Sequence, residues 1–146
     1  MSYATKDDIV TLYSEDALHV ADRDGDGVVD IAAVDRALAS ASDEIDSYLG
    51  VRYAVPLTFT PGIVQQYCVD IGLYRLALSA DVLSEEHRRR YDDAITHLRR
   101  IGDGKAMLVL PAEPVPEGEE PLPEGAQPIV SGGPLKVWDR DSTRDL

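Results

Sequence analysis

The chain has 146 residues, of which 44% are hydrophobic, and this is enough for one domain with an apolar core. Its 27 acidic and 14 basic residues give a net charge of -13, which repels phosphate backbones and argues against sequence-specific nucleic-acid binding. A single cysteine, Cys68, excludes an internal disulfide, and the sequence has neither a signal peptide nor a run of about 20 apolar residues that could span a bilayer. We therefore expect a chain that is cytosolic where it is made.

The first 50 residues follow a helical pattern. Thr5, with Asp8 three residues later, predicts a capped helix start, and a second short helix is expected after Ser14. Asp30 is the expected N-cap of a third, longer helix, and Gly50 its stop. The apolar residues of this third helix recur at spacings of three and four, which predicts one buried face: Ile31, Val34, Leu38, Ala41, Ile45, Tyr48 and Leu49.

Two more helices are predicted before residue 110. Thr60 and Pro61 mark the start of the first, while Ser84 caps the second and the GDGKA motif at 102–106 ends it. No segment of this region alternates like a strand for long enough to predict a sheet. The expected inward residues are Ile63, Val64, Tyr67, Ile71, Tyr74 and Leu78 in the first helix, and Tyr91, Ile95, Leu98 and Ile101 in the second. The sequence predicts an all-α fold, a compact bundle of about five helices.

The composition changes after residue 110, where seven of the nine prolines lie. Residues 111–128 contain five Glu and no Lys or Arg, a composition typical of an extended linker. Residues 129–146 regain apolar side chains and predict a short arm that binds a partner or, alternatively, folds back on its own domain. We thus divide the chain into a helical body (1–110), a Pro/Glu-rich linker (111–128) and a C-terminal arm (129–146). The expected interface residues of the arm are Leu135, Val137, Trp138, Arg140 and Arg144.

The acidic loop DRDGDGVVD at residues 22–30 has the spacing of an EF-hand calcium loop, with carboxylates at its first, third, fifth and ninth positions and glycine at its sixth. The twelfth position, normally a bidentate Glu, is Ala33, so the loop offers fewer oxygens than the roughly six to eight that calcium takes. Two interpretations stay open: a weak calcium site, or a Gly-Asp turn in which Asp30 caps the next helix. No cofactor is expected to be required. The predicted calcium ligands are Asp22, Asp24, Asp26, Asp30 and the carbonyl of Val28.

The other residues that could bind a metal or act in catalysis are scattered along the chain. The three histidines, His19, His87 and His97, are too far apart to share a metal and are interpreted as surface residues, and Cys68 is predicted to be a small buried apolar group. The sequence has no nucleophile elbow, phosphate-binding loop, CxxC pair or HExxH motif. Catalytic residues are therefore not predicted, and we do not expect an enzyme.

Three consecutive arginines, 88–90, form the most basic run before the tail. Arg88 with Asp92, and Arg89 with Asp93, have the one-turn spacing of helical ion pairs. A solvated, self-neutralised face is the preferred interpretation over a DNA-binding patch. An acidic surface on a neighbouring subunit would be the best partner for this run.

Three motifs occur along the chain in a fixed order: YAT at 3–5 followed by DI at 8–9, DRDGDG at 22–27, and YLGVRYAVPL at 48–57. In these motifs the chain shows a resemblance to the Mu-like phage head-morphogenesis protein family. It covers nearly the whole chain apart from the Pro/Glu linker, and the order of the motifs is more specific than any one of them. Further matching motifs are Asp70-Ile71, Arg75-Leu76, RYDDA at 90–94, GKA at 104–106 and WDRD at 138–141.

The resemblance implies a helical head–tail connector of the kind found in long-tailed phages, which forms a twelve-fold ring under the portal. The implied partners are further copies of the chain, the portal protein and a tail-side neck protein. Genomic DNA would pass through the ring without sequence-specific binding, and no membrane is involved. The implied location is the neck of the virion, with the host cytoplasm during assembly. Two alternatives remain: a calcium-stabilised helical binding module outside the virion, and a small enzyme whose site is not recognisable in sequence.

Overall fold

A computed structural model describes residues 1–22 and 25–111 of the chain. Met1–Pro111 forms one compact unit. Four of the predicted calcium ligands lie within the described ranges, and Asp24 lies outside them. The predicted arm at 129–146, with its five interface residues, is also outside them, as is the linker beyond Pro111. What we predict for these residues therefore remains a prediction from the sequence.

The described residues form four α-helices and one 3₁₀ helix, and no strand occurs in these ranges. The prediction of an all-α fold with about five helices is confirmed. The bounds are α1 Lys6–Tyr13, the 3₁₀ helix Glu15–Ala21, α2 Ile31–Leu49, α3 Gly62–Ser79 and α4 Glu85–Gly102. Helices α2, α3 and α4 run up, down and up beside one another, because the contacts of α3 with each neighbour run in opposite chain directions: Cys68 with Ser42 and Gly72 with Leu38 in α2, and Tyr67 with His97 and Tyr74 with Tyr91 in α4. Helix α1 and the 3₁₀ helix contact α2 and α3 of this three-helix layer.

Three helices begin at the residues that the sequence predicts. The carboxylate of Asp8 accepts hydrogen bonds from both the backbone N–H and the hydroxyl of Thr5 at the start of α1. Asp30 Oδ1 accepts from the N–H of Ala33 at 3.0 Å at the start of α2. The hydroxyl of Ser84 caps α4 in the same way, by accepting from the backbone N–H of the third helical residue at 3.2 Å. These local bonds fix where each helix starts.

Glycines end α2 and α4 by different means. Gly50 follows α2 in a right-handed conformation (φ -60°), so it does not use the left-handed freedom that the prediction assumed. Gly104 follows α4 with φ +78°, and its N–H donates to the carbonyl of Ile101 while that of Lys105 donates to Arg100. This pair of bonds is a Schellman motif, which satisfies carbonyls at the helix end. The GDGKA prediction is thereby confirmed.

Helix α3 occupies the centre of the body and differs from its predicted face. Ile63 and Leu78, expected inward, are 41% and 56% exposed. Ile31 at the start of α2 is also exposed, so that prediction was wrong as well. These residues lie at helix ends, beyond the reach of the neighbouring helices. In its middle, α3 contacts α2, α4 and α1, and its buried residues therefore surround the helix: Val64, Cys68, Val69, Asp70, Ile71, Gly72, Leu73, Leu76 and Ala77.

The surface of α4 also differs from the prediction. Arg90, not Arg88 or Arg89, makes the one-turn ion pair, with Glu86 at 2.9 Å. Among the described residues neither Arg88 nor Arg89 has an acidic group within 4.0 Å. Arg90 is drawn inward because its guanidinium lies 4.3 Å from the centre of the Tyr13 ring. Spacing alone could not choose among three consecutive arginines.

Candidate functional site

The described part of the acidic loop is held by its own hydrogen bonds. The carboxylate of Asp22 accepts from the backbone N–H groups of Gly25, Asp26 and Gly27 at 2.9–3.2 Å. Asp26 Oδ1 accepts from the N–H of Val28 at 2.7 Å. Both glycines have positive φ (+72° and +82°), which glycine adopts without strain. Residues 25–28 therefore form a tight turn that is closed onto the carboxylate of Asp22.

The structure describes four of the five predicted calcium ligands. Asp30 is engaged as the N-cap of α2, and its N–H donates to the carbonyl of Ala21 at 3.2 Å, which closes the base of the loop. Within residues 1–22 and 25–111, no group of three His, Cys, Asp or Glu side chains is arranged to hold a metal ion. Because Asp24 lies outside these ranges, the calcium prediction stays a prediction.

A small cavity of about 310 Å³ lies between the end of the 3₁₀ helix, the start of α2 and the end of α3. Its walls are about half apolar and half polar, and the polar residues are Asp30, Arg36, Ser40, Arg75 and Ser79. Arg75 is already bound, because it donates to Ser40 Oγ and to Glu44 Oε2, both at 2.6 Å. The cavity therefore contains two cations, of which Arg75 is bound to protein groups and Arg36 is mostly exposed. Neither is arranged to act on a ligand.

Three polar networks join helices that are distant in sequence. In the first, the Tyr3 hydroxyl donates to the carboxylate of Asp46 and accepts from the N–H of Leu57 at 2.9 Å. Burial, followed by the hydrogen bond to Asp46, raises the pKa of Tyr3 to about 12. The backbone N–H of Tyr3 also donates to the buried hydroxyl of Ser42 at 2.9 Å. This network attaches the N-terminal segment to α2.

The second network contains the one acidic side chain that is buried in the described residues, Asp70. Its carboxylate accepts from the Tyr13 hydroxyl at 2.6 Å. Burial raises the pKa of Asp70, while the Tyr13 hydrogen bond and the charge of Arg90 oppose the shift. Burial and the Asp70 contact together raise the pKa of Tyr13 to about 12. A carboxylate in the apolar run of α3 needs such a partner, and its position in that run was the available sequence signal.

The third network is centred on Glu44 of α2. One carboxylate oxygen accepts from Arg75 of α3 and the other from the Tyr91 hydroxyl of α4 at 2.9 Å. Tyr91 also stacks on Tyr74, with ring centres 4.2 Å apart. The side chain of Glu44 thus connects all three long helices. Arg75 matches a motif of the family resemblance, but its partner could not be read from the sequence.

These networks have a structural rather than a reactive arrangement. Burial raises the pKa of Cys68, which disfavours the reactive thiolate, and its sulfur lies 3.3 Å from the Ser42 hydroxyl. The imidazole of His97 lies 2.7 Å from the Tyr67 hydroxyl. His97 and His87 are half-buried, so the prediction of surface histidines holds only for His19. Among the described helices, none is both long and apolar enough to cross a membrane.

Comparison with known proteins gives consistent matches. The family model described as "Bacteriophage Mu, Gp36" matches residues 3–124. "Gene product J" of Escherichia phage Mu is 34% identical over 107 residues, which cover 72% of this chain and 74% of that protein. "Mu-like prophage FluMu protein gp36" of Haemophilus influenzae is 37% identical over 82 residues, which cover 56% of this chain and 57% of that protein. The resemblance to a Mu-like phage family is confirmed, and the chain belongs to the Bacteriophage Mu Gp36 family.

Proposed function

We propose that this phage protein is a non-enzymatic structural component of the virion, a head–tail adaptor that forms a ring of twelve copies beneath the portal. The observation that carries the proposal is the match to gene product J of phage Mu over 72% of the chain. The connector role itself comes from the resemblance to helical connectors. The compact helical body is of the kind such a role requires, since its polar groups serve to join α2, α3 and α4.

The charge of the chain supports the same role. A net charge of -13 repels the DNA backbone, so a duplex can pass a ring of such subunits without being held. In this proposal the body forms the wall of the ring, with the portal protein on one side and a tail-side neck protein on the other. The arm at 129–146 reaches a neighbouring subunit through Leu135, Val137 and Trp138, with Arg140 and Arg144 paired to its acidic surface.

Cryo-EM of particles from a phage or prophage that encodes this chain tests the proposal. We expect twelve copies between portal and tail, with residues 135–138 seated on an adjacent copy. Particles from a strain that lacks the gene are the matched control, and they should show the neck without this layer. Detection of the chain only in the tail tube would contradict the adaptor role, and its absence from particles would favour a binding module outside the virion.

We also propose that the acidic loop binds calcium weakly and that folding does not need it. The support is that Asp22 and Asp30 already satisfy backbone N–H groups, while Ala33 removes the usual bidentate ligand. With a millimolar dissociation constant, 1 mM calcium adds about 0.4 kcal/mol of stability. We expect thermal melts in calcium and in chelator to differ by about 2–3 °C.

The variant Asp26→Asn is a suitable control for these melts, because it keeps an oxygen for the N–H of Val28 but removes a charge from the loop. It should melt at the same temperature with calcium and with chelator. Unfolding of the wild-type chain in chelator, or nanomolar affinity by calorimetry, would show that the loop is a required metal site.

A further inference from the structure

One end of the three-helix layer is basic and carries uncovered apolar side chains. Here α2 and α4 end side by side, since a Cβ atom on Gly102 would lie 3.2 Å from the carbonyl of Tyr48. The segment after α4 folds back across this end, where the N–H of Leu108 donates to the Tyr53 hydroxyl at 2.9 Å. We define the basic end by four exposed cations and three exposed apolar residues: Arg52, Arg99, Arg100 and Lys105 with Val51, Met107 and Val109.

The opposite end is acidic and also carries uncovered apolar side chains. The start of α2 and the end of α3 meet there, because Asp30 and Ser79 line the same cavity. The start of α4 lies at this end too, because only five residues connect it to the end of α3. We define the acidic end by five exposed acids and four exposed apolar residues: Asp26, Asp30, Asp35, Asp81 and Glu85 with Val28, Ile31, Leu78 and Val82.

The cations at the basic end are mostly without acidic partners in their own body. Lys105 lies 3.4 Å from Asp103, whereas Arg52, Arg99 and Arg100 have no acidic group within 4.0 Å among the described residues. At the acidic end, Arg36 lies 4.0 Å from Asp30, and both side chains are substantially exposed. Exposed cations also lie near the acidic end, namely Arg36 and, close to the start of α4, Arg88 and Arg89, while the exposed Asp103 lies at the basic end. Acids still outnumber bases at the first end, and bases outnumber acids at the second, so the two ends have opposite net charges.

Helix dipoles account for part of this charge arrangement but not for the apolar residues. Acids near helix starts and bases near helix ends stabilise a helix, so the charges alone could serve the monomer. The exposed apolar residues do not stabilise a helix dipole. Met107 is 73% exposed and Val109 is 86% exposed, whereas Leu108 between them is buried. Apolar groups beside exposed charges at both ends are typical of surfaces that a partner covers.

We propose that the acidic end of one copy docks on the basic end of the next, so that copies of this chain associate head to tail. The occupant of each end is a second copy, because each end carries the charge that complements the other. Such a contact is heterologous, and it closes into a ring only if the rotation between successive copies allows it. The inference rests on the proposed function only for this closure, not for the contact itself.

Disulfide cross-linking of the full chain tests the contact. Met107→Cys places a thiol on the basic end and Ile31→Cys places one on the acidic end, while the native Cys68 is fully buried. Under mild oxidation we expect no disulfide-linked dimers of either single variant, disulfide-linked heterodimers from their mixture, and a ladder of disulfide-linked oligomers from the double variant. Thr96→Cys, exposed in the middle of α4, is the matched control and should not cross-link with either.

Charge reversal then tests complementarity. Arg99→Glu with Arg100→Glu in the Met107→Cys chain should slow heterodimer formation about tenfold or more. Asp35→Lys in the Ile31→Cys chain should restore much of that rate. Arg89→Glu in the Met107→Cys chain reverses a charge on the same helix about three turns away, and it should change the rate of heterodimer formation little. A larger effect than that of Arg99→Glu with Arg100→Glu would assign the contact to the arginine run at 88–90 instead.

Several outcomes would overturn the proposal. Homodimers of either single variant would show a symmetric contact, and an absence of cross-links at millimolar chain concentration would show that the ends do not meet. Protection of the Met107→Cys thiol from alkylation in the monomer would show that the chain's own residues cover the basic end. A cross-linked ladder from a chain that is absent from the virion neck would instead refute only the adaptor role.

Discussion

Leu38→Ala is expected to lower the free energy of unfolding by about 3–5 kcal/mol. Leu38 is 1% exposed, and its side chain packs against α3 at Gly72, where a Cβ atom would lie only 2.9 Å from Leu38 Cδ2. The two helices approach closely at this glycine, so neighbouring side chains have little room to move into the space that the truncation leaves. A cavity then remains, and the melting temperature should fall by about 10–20 °C.

Leu78→Ala is the matched control for this substitution, since it removes the same atoms from a residue of α3 that is 56% exposed. We expect its change in unfolding free energy to stay within about 0.5 kcal/mol. Chemical denaturation monitored by circular dichroism measures both values. Equal losses for the two variants would contradict the central position of α3 in the core.

Tyr3→Phe is expected to lower the free energy of unfolding by about 2–3 kcal/mol. The substitution removes only a hydroxyl, but it takes the acceptor from the buried N–H of Leu57 and a donor from the carboxylate of Asp46. The first loss leaves a buried donor unsatisfied, and the second weakens a hydrogen bond to a charged group. The N-terminal segment should therefore detach from α2 more readily.

Alkaline pH gives a second readout of the same hydroxyl. Burial raises the pKa of Tyr3 from 10.0 to about 12, so the folded state holds this proton more tightly than the unfolded state does. Its contribution to stability is complete below pH 10 and is lost as the pH rises toward 12. The difference in stability between wild type and Tyr3→Phe should shrink over this interval.

Tyr74→Phe provides the comparison for Tyr3→Phe, because the Tyr74 hydroxyl makes no hydrogen bond to protein within the described part of the chain and its ring stacks on Tyr91. We expect a loss below about 0.5 kcal/mol. A loss as large as that of Tyr3→Phe would mean that removal of any tyrosine hydroxyl is costly here, and the bridging role of Tyr3 would be wrong.

The sequence by itself determined the features that depend on neighbours along the chain. Thr5 with Asp8, Asp30 and Ser84 were assigned as helix caps, and each bonds within three residues of itself. The all-α class followed because helix starts, helix stops and a period of 3.6 residues are local properties. The order of motifs along the chain also carried the family resemblance.

Only the tertiary structure decided which side chains meet across helices. Tyr13 and Asp70 are 57 residues apart, and Tyr3 and Leu57 are 54 apart, so no spacing rule relates them. The predicted inward face of α3 was right for Val64 and Ile71 but missed buried residues on its other sides. A central helix is covered on several sides, whereas a periodicity of apolar residues describes contact with one side. The sequence predicted ion pairs for Arg88 and Arg89 rather than for Arg90, because one-turn spacing contains no information about the ring of Tyr13. Helix α1 places the centre of this ring 4.3 Å from the Arg90 guanidinium. The ends of the bundle, with their opposite charges, likewise exist only once α2, α3 and α4 lie side by side, since packing brings residues distant in sequence onto one surface.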